Sequence, residues 1–449
     1  MGNKRQARIS QCMIVKNEER NIEKALSWGK SIMWEQIVVD TGSTDHTVEL
    51  AAKLGAKVVH FQWIDDFAAA KNFAIDQARG EWIAFLDADE YMEPGDAKKM
   101  GEVLERLTHD AIDAVSTGWQ QINDKGEIFL SGTQIRFFRN RPDIRYRRKI
   151  HEQLESTTGR ALRVGDVTKE LSIFHTGYQQ RELDEKRKNE RNRRLILKEL
   201  ETDPGNYEMM GYMGDECLGD GEDNEARMWY ERAVQAMPSK LYPNDQRSAL
   251  TFTRLLSLLT RKEDALWETA EPVYKKAVSL LPEEADFDYL VGWYFARKAQ
   301  AAKAVHYLEK ALDKLSTYGY YNKALFFGAN VSDAYELLTR CCFELGEFEK
   351  CLNYGVAYLK FDRYDMGVLS RVLRVLLPDG GGHEENSRAV FDFLAKLYDF
   401  GNLKDRLFVV KAAERSGCQG FAEYGSERLF TEEEREKLGL KREKEGGGS

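Results

Sequence analysis

Two aspartates, Asp87 and Asp89, stand one residue apart directly after an apolar run, Trp82 to Leu86. The run predicts a buried strand, and because alternate residues of a strand share a face, both carboxylates are expected in one cleft at its carboxyl end. Carboxylates are hard ligands that hold Mg²⁺ or Mn²⁺, and such ions usually share their shell with substrate phosphates. A strand followed by a polar turn is the alternative, because Asp also favours turns.

Strands and helices alternate through the first part of the chain. The predicted strands are Ile9 to Val15, Gln36 to Asp40 and Lys57 to His60, with helical segments ending at Leu26 and covering Val48 to Leu54. Short connections between such elements predict an α/β domain with a mostly parallel sheet. Ligands of these sheets bind beyond the carboxyl ends of the strands.

Polar residues follow the first two strands. Asn17 and Glu18 come after the first. Asp40 ends the second, where its carboxylate could accept the N–H of a nucleobase, and Gly42 lets the backbone approach a ligand closely. Ser43 is a further candidate for the nucleotide site, although it could instead only cap the next helix.

A third polar group lies on the helix that begins near Asp66. Lys71 and Asn72 follow three alanines there. Either side chain could reach the ribose or the diphosphate of a nucleotide. For Lys71 a solvated helix face is the alternative.

Four segments carry a family resemblance: Val15 to Glu18, Val39 to Asp45, Asp66 to Asn72 and Phe85 to Glu90. Their order and spacing resemble those of family-two glycosyltransferases of the GT-A fold, and the resemblance covers about the first 195 residues. It implies a nucleotide-sugar donor, a divalent metal (Mg²⁺ or Mn²⁺) at the diphosphate, and inversion at the anomeric carbon.

The resemblance also implies roles for single residues. Asp40 would contact the uracil, Asp87 would lie near the ribose, and Asp89 would ligate the metal. An inverting transfer needs a group that takes the acceptor's proton, and Glu152 matches the family's carboxylate motif for this base. His175 matches a late histidine that serves as a further metal ligand. Pairing of Glu152 with a nearby arginine and a core role for His175 are the alternatives.

A strongly charged helix follows at 185–195. Lys188, Arg191 and Asn192 lie on one side of it, at positions i, i+3 and i+4. Lys188 and Arg191 could close over a diphosphate as part of a lid. A solvated face is the alternative.

The first domain is predicted to span 1–200. Its second half is predicted to contain short strands at Val115 to Gln120, Ile128 to Leu130 and Thr133 to Arg139, and Pro204 and Gly205 mark its end.

The remainder, 201–440, is predicted to be an all-α domain of tetratricopeptide-like repeats. Trp229 to Ala233, Val273 to Ala277 and Tyr307 to Ala311 repeat one pattern, and the last two alanines are 34 residues apart, as in such repeats. Asp333 to Leu352 is a degenerate fourth copy. Helix pairs of this kind stack around a groove that most often holds a peptide, although the array could instead brace the first domain or form a homodimer.

Composition narrows the class of protein. The chain has 449 residues with 42% hydrophobic content, enough for at least two domains, and a net charge of -9 argues against nucleic acid as the main partner. No stretch approaches 18 apolar residues, so no membrane span is predicted. The six cysteines show no Cys-x-x-Cys spacing and are predicted to be reduced core residues of a cytoplasmic protein. The last residues, 446–449, are predicted to be an added linker.

The two halves together are similar to the sublancin-type peptide S-glycosyltransferases of glycocin biosynthesis. This resemblance implies transfer of a hexose from UDP-glucose or a related UDP-hexose to a Cys or Ser side chain of a bacteriocin-like peptide bound by the repeats. One alternative is a saccharide or lipopolysaccharide-core acceptor. Another is a non-catalytic tetratricopeptide adaptor.

Overall fold

The computed structural model describes residues 7–107, 110–123, 125–176, 182–242, 245–319 and 324–440, without the side chains of 129, 130 and 182–188. The predicted linker at 446–449 lies outside the described residues. Contacts divide the chain into two units, Met1–Ala236 and Met237–Ser449. The first unit therefore takes in three helices that begin or end beyond residue 200, and the boundary predicted at that residue stays a prediction.

The first unit is built on β-strands. They are β1 (Ile9–Val15), β2 (Glu35–Asp40), β3 (Lys57–His60), β4 (Trp82–Phe85), β5 (Glu90–Tyr91), β6 (Ala114–Ile122), β7 (Ile128–Arg139), β8 (Ile144–Arg147), β9 (Gln153–Ser156), β10 (Val164–Asp166) and β11 (Ser172–His175). Among the described residues, nine strands form one sheet in the order β3-β2-β1-β4-β7-β6-β11-β5, with β10 beside β6, while β8 and β9 form a separate hairpin.

The sheet is parallel where the sequence predicted it to be and mixed beyond that point. β3, β2, β1 and β4 run parallel, and Val15 lies opposite Asp40. β7 then pairs antiparallel with both β4 and β6. The two short strands predicted at 128–130 and 133–139 are one strand, because the backbone of Ser131 and Gly132 continues the pairing with β6.

Helices cover the sheet and form the rest of the chain. In the first unit they are α1 (Ile22–Ser27), α2 (Thr47–Lys53), α3 (Phe67–Asp76), α4 (Pro94–Leu107), α5 (Glu182–Thr202), α6 (Tyr207–Gly219) and α7 (Asp223–Ala236). In the second they are α8 (Gln246–Thr260), α9 (Trp267–Leu280), α10 (Asp286–Arg297), α11 (Ala301–Tyr318), α12 (Leu325–Ala329), α13 (Val331–Leu345), α14 (Phe348–Leu359), α15 (Met366–Leu376), α16 (Glu384–Leu394), α17 (Leu403–Ser416), α18 (Gln419–Leu429) and α19 (Glu432–Lys437).

Consecutive helices pack as pairs through a small residue on one and a large residue on the next. Gly214 of α6 lies against the ring of Tyr230 of α7. In the second unit, a Cβ atom at Gly292 of α10 would come within 2.7 Å of Leu308 of α11. This is the large-against-small packing that the repeat pattern predicts. The predicted class, a GT-A-type α/β domain followed by a helical repeat array, is confirmed.

The interior of the chain holds all six cysteines as buried free thiols. Burial raises the pKa of most of them, and it raises that of Cys217 to about 11. Within the described part of the chain, we find no helix with the length and apolarity needed to cross a membrane.

Candidate active site

The Asp-x-Asp segment is a turn at the carboxyl edge of the parallel strands. β4 ends at Phe85, and Asp87 to Asp89 connect it to the two-residue strand β5. The prediction that both aspartates share one face of a strand is therefore wrong, because Leu86 is already outside the sheet pairing. The turn sends the two carboxylates to different partners.

Asp87 faces two cations. Its Oδ2 atom is 3.0 Å from Arg136 Nη2, and its Oδ1 atom is 3.5 Å from Lys71 Nζ. Burial would raise the pKa of Asp87, but the positive charges of Lys71 and Arg136 outweigh it and hold the pKa below its usual range. The lowered pKa means that this carboxylate is ionised. Because 40% of the side chain remains exposed, the carboxylate is also accessible.

Lys71 is buried, with only 3% of the residue exposed, so its interpretation as part of a solvated helix face is wrong. Its Nζ atom is 2.5 Å from Glu152 Oε1 and lies about 5 Å from the ring centroids of Phe85 and Tyr146. Burial would lower the pKa of Lys71, but Asp87 and Glu152 outweigh it and raise the pKa. The Lys71 ammonium group therefore contacts both Asp87 in the acidic turn and Glu152, the predicted base.

Glu152 directly precedes β9, and neither it nor His151 is part of a strand. Its ion pair is with Lys71, not with one of the neighbouring arginines as the alternative held. The carboxylate is thus fixed from helix α3 and faces the same lysine as Asp87. This geometry brings two of the predicted site residues together.

Two residues that sequence analysis missed complete the charged cluster. Arg136 of β7 is 2.6 Å from Glu90 Oε1 in addition to its contact with Asp87. Glu90 is buried, accepts the indole N–H of Trp119 at 2.9 Å, and accepts the backbone N–H of Asp87 at 3.0 Å. A single arginine between apolar residues of a strand was the available signal, since a buried guanidinium needs a carboxylate partner.

Asp89 and His175 meet because β5 and β11 pair antiparallel, with Glu90 opposite His175. The Nε2 atom of His175 is 3.2 Å from Oδ2 of Asp89, and the imidazole lies against the ring of Trp119. Burial would lower the pKa of His175, but the hydrogen bond to Asp89 and the charges of Asp89 and Glu90 outweigh it and raise the pKa.

This pair fits a divalent cation. Two ligands about 2.1 Å from Mg²⁺ and at right angles to each other lie about 3 Å apart, so a separation of 3.2 Å suits adjacent positions of an octahedral ion. A third carboxylate, Glu18, is close enough that, beyond the effect of its burial, the charges of Asp89 and Asp87 also raise its pKa. A concentration of negative charge of this kind attracts a cation.

Hydrogen bonds connect the segments that follow β1 and β2, where Asn17, Gly42 and Ser43 form the rim of the site. The backbone N–H of Asn17 donates to Ser43 Oγ at 3.0 Å, and Asn17 Oδ1 accepts from the backbone of Thr44 at 2.7 Å. Asp40 is buried and accepts the backbone N–H groups of Gly42 and Ser43 at 3.2 and 2.9 Å. Burial would raise the pKa of Asp40, but hydrogen bonds, chiefly from Ser43, outweigh it and lower the pKa.

Three other residues were predicted to contact the nucleotide sugar, and the structure does not bring the two side chains that it describes into this cluster. Asn72 exchanges two hydrogen bonds of 2.9 Å with the backbone of Tyr146, so its amide joins α3 to β8. Arg191 of α5 lies over the ring of Phe67, at the start of α3. The side chain of Lys188 lies outside the described residues. For Asn72 and Arg191, contact with a diphosphate stays a prediction that these interactions do not support.

The parallel sheet, the acidic turn and the Asp89–His175 pair define a GT-A-type domain with a candidate nucleotide-sugar and metal site. The family model described as glycosyl transferase family 2 matches residues 10–169. The chain belongs to this family.

Two relatives extend the similarity into the helices. A TPR repeat-containing protein of Synechococcus elongatus is 31% identical over 287 residues, which are 60% of this chain and 68% of that protein. The glycosyltransferase SunS of Bacillus subtilis is 29% identical over 249 residues, 55% of this chain and 57% of its own length. The chain thus spans little more than half of SunS.

Solved structures show weaker likeness. Glucosyl-3-phosphoglycerate synthase from Mycobacterium tuberculosis, solved with Mn²⁺ and UDP-glucose, is 25% identical, with a TM-score of 0.22 over 27% of this chain and 45% of that one. PilF of Pseudomonas aeruginosa is 16% identical, with a TM-score of 0.31 over 53% of this chain and 99% of its own. Likeness at these TM-scores carries no weight for function.

Proposed function

We propose that the protein is a metal-dependent inverting glycosyltransferase that moves a hexose from a UDP-sugar to a Cys or Ser side chain of a peptide. The observation that carries the proposal is the junction at Lys71, where the acidic turn and Glu152 meet on one buried cation. Family membership and the similarity to SunS support the transfer of a sugar.

The donor would bind along the carboxyl edge of the parallel strands. Asp40 and the rim formed by Asn17, Gly42 and Ser43 would hold the uracil, and Asp87 would lie near the ribose. Asp89 and His175 would hold Mg²⁺ or Mn²⁺. When bound, such an ion stabilises the charge that develops on the departing diphosphate.

Glu152 would act on the acceptor. Its carboxylate would orient the acceptor hydroxyl or thiol and take its proton as the new bond forms at the anomeric carbon. Lys71 would keep the carboxylate in place, since a buried ammonium only 2.5 Å away restricts its rotation. Inversion follows if the acceptor attacks from the face opposite the diphosphate.

A peptide acceptor is favoured by the helical array that follows the catalytic fold. Stacked helix pairs present a continuous concave surface that suits an extended peptide. A UDP-hexose donor and a peptide acceptor are the partners we propose. A saccharide acceptor is the second candidate, because the same donor chemistry serves both.

Glu152→Gln should harm transfer to serine more than transfer to cysteine. A free thiol has a pKa near 8.5 and is partly ionised without help, whereas a hydroxyl depends on the base. Initial rates with two peptides that differ only in Cys or Ser would measure this, and general base catalysis predicts a loss of about 10² to 10⁴-fold for serine. Equal losses on both peptides would contradict the role given to Glu152.

Removal of divalent metal should abolish transfer, and Mn²⁺ or Mg²⁺ should restore it. The test incubates protein treated with a chelator with a panel of UDP-sugars and a cysteine-containing peptide, with and without added metal. Mass spectrometry then measures the mass of the peptide. A hexose mass increase that needs the metal supports the proposal. UDP release without peptide modification in the presence of a saccharide would support the second candidate.

A further inference from the structure

The proposed base ends a short loop, Arg148 to Glu152, between β8 and β9. Two residues of this loop have left-handed backbone conformations, with φ of +78° at Arg148 and +50° at His151. Residues other than glycine adopt this conformation rarely, and they keep it only where surrounding contacts hold the backbone in place. The loop that carries Glu152 therefore depends on its neighbours.

Those neighbours include helices α5 and α6, which follow the sheet. Arg148 forms an ion pair with Glu208 of α6, and both side chains are largely buried. The His151 ring stacks on Tyr212 of the same helix, with centroids 3.6 Å apart and an angle of 7° between the planes. Each left-handed residue thus has its own partner on α6.

Helix α5 adds weaker contacts to the residue between them. The backbone N–H of Lys149 donates to Glu199 at 3.4 Å, and its Nζ atom donates to the backbone oxygen of Lys198 at 3.5 Å. Glu208 and Tyr212 are four residues apart and so lie on one face of α6. That face contacts the loop at Arg148 and His151, while Lys71 of α3 contacts Glu152.

We infer that Glu208 and Tyr212 are positioning residues for Glu152, and that α6 is part of the catalytic machinery. The inference rests on the proposed function, in which Glu152 acts on the acceptor. The two contacts fix the left-handed turns that direct the Glu152 carboxylate to Lys71. Without them the loop relaxes and the carboxylate leaves the reacting atoms.

The test compares Tyr212→Ala with Tyr212→Phe in the full chain. The alanine variant should lose about 100-fold in kcat, because a displacement of about 1 Å costs this much, with KM for the UDP-sugar unchanged. The phenylalanine variant keeps the ring and should turn over at the parent rate. Glu208→Gln, which removes only the charge of the other contact, should lower kcat with KM unchanged.

Trp34→Ala is the matched control. Trp34 is an exposed aromatic residue just before β2, outside the proposed donor site and the helical array, where its ring lies under the guanidinium of Arg8. Its loss should leave kcat unchanged, and thermal unfolding of every variant confirms that it is folded at the assay temperature.

Three outcomes would overturn the inference. If Tyr212→Ala is folded and turns over like the parent, the stack positions nothing. If kcat of Tyr212→Phe falls as far as that of the alanine variant, the activity depends on the tyrosine hydroxyl and not on the ring stack. If the parent protein turns over no UDP-sugar at all, the proposed function fails and this assignment falls with it.

Discussion

Asp89→Ala should abolish sugar transfer and leave the protein folded. The carboxylate is one of the two groups that we propose as ligands of a divalent ion, and the loss of several kcal/mol of stabilisation on the departing diphosphate corresponds to a rate decrease of about 10³-fold or more. The fold should tolerate the change, because 26% of the side chain is exposed and its ion pair is with His175.

The backbone at this position keeps its contacts in the variant. The carbonyl oxygen of Asp89 accepts from the N–H and the hydroxyl of Thr176, both at 3.0 Å, and alanine retains that oxygen. Initial rates of UDP release, with circular dichroism of the same samples, measure both parts of the prediction.

Asp96→Ala is the control for Asp89→Ala. Asp96 has a similar exposure and pairs with Lys99 at 3.2 Å, but it lies in the first turn of α4. Its loss should leave the rate unchanged. A folded Asp89→Ala protein that transfers sugar at the parent rate would exclude the metal site and the mechanism built on it.

Lys71→Met should destabilise the protein and remove its activity. Methionine fills a similar volume without the charge, so Glu152 and Asp87 lose their shared cation. Removing one member of a buried ion pair typically costs about 3 to 5 kcal/mol, because the remaining charge is left buried. The midpoint of urea unfolding should fall accordingly.

The double variant Lys71→Met with Glu152→Gln separates the causes. If the cost arises from an unpaired Glu152, neutralising that residue should recover much of the lost stability, since Asp87 still has Arg136 at 3.0 Å. Activity should not recover, because the base is absent. If the double variant loses as much stability as the two single variants together, Lys71 and Glu152 are not energetically coupled.

Much of the catalytic fold was predictable because its signals are local. Apolar runs such as Ile9 to Val15 contain enough β-branched and other apolar residues to define a strand without reference to the rest of the chain. The positions of Asp40 and of the acidic turn follow from strand order, since parallel strands end at one edge. The repeating alanines at 233, 277 and 311 are all buried, as the repeat pattern predicts.

What the sequence did not predict depends on contacts between distant segments. Lys71 lies among alanines of α3, and a helix with small residues on several faces does not reveal which face is buried. Its burial is decided by Glu152, 81 positions later in the chain. Arg136 was missed for a related reason, since its partners Asp87 and Glu90 lie 49 and 46 positions earlier in the chain.

If a peptide thiol is the acceptor, as proposed, the burial of every cysteine bears on how the enzyme avoids modifying its own thiols. Cys12, Cys217, Cys341, Cys342, Cys351 and Cys418 are each no more than 1% exposed. A sugar acceptor must reach the donor carbon, and these sulfur atoms are enclosed by packed side chains. The folded protein should therefore gain no hexose on its own cysteines during turnover, and peptide mapping of the protein after the reaction would check this.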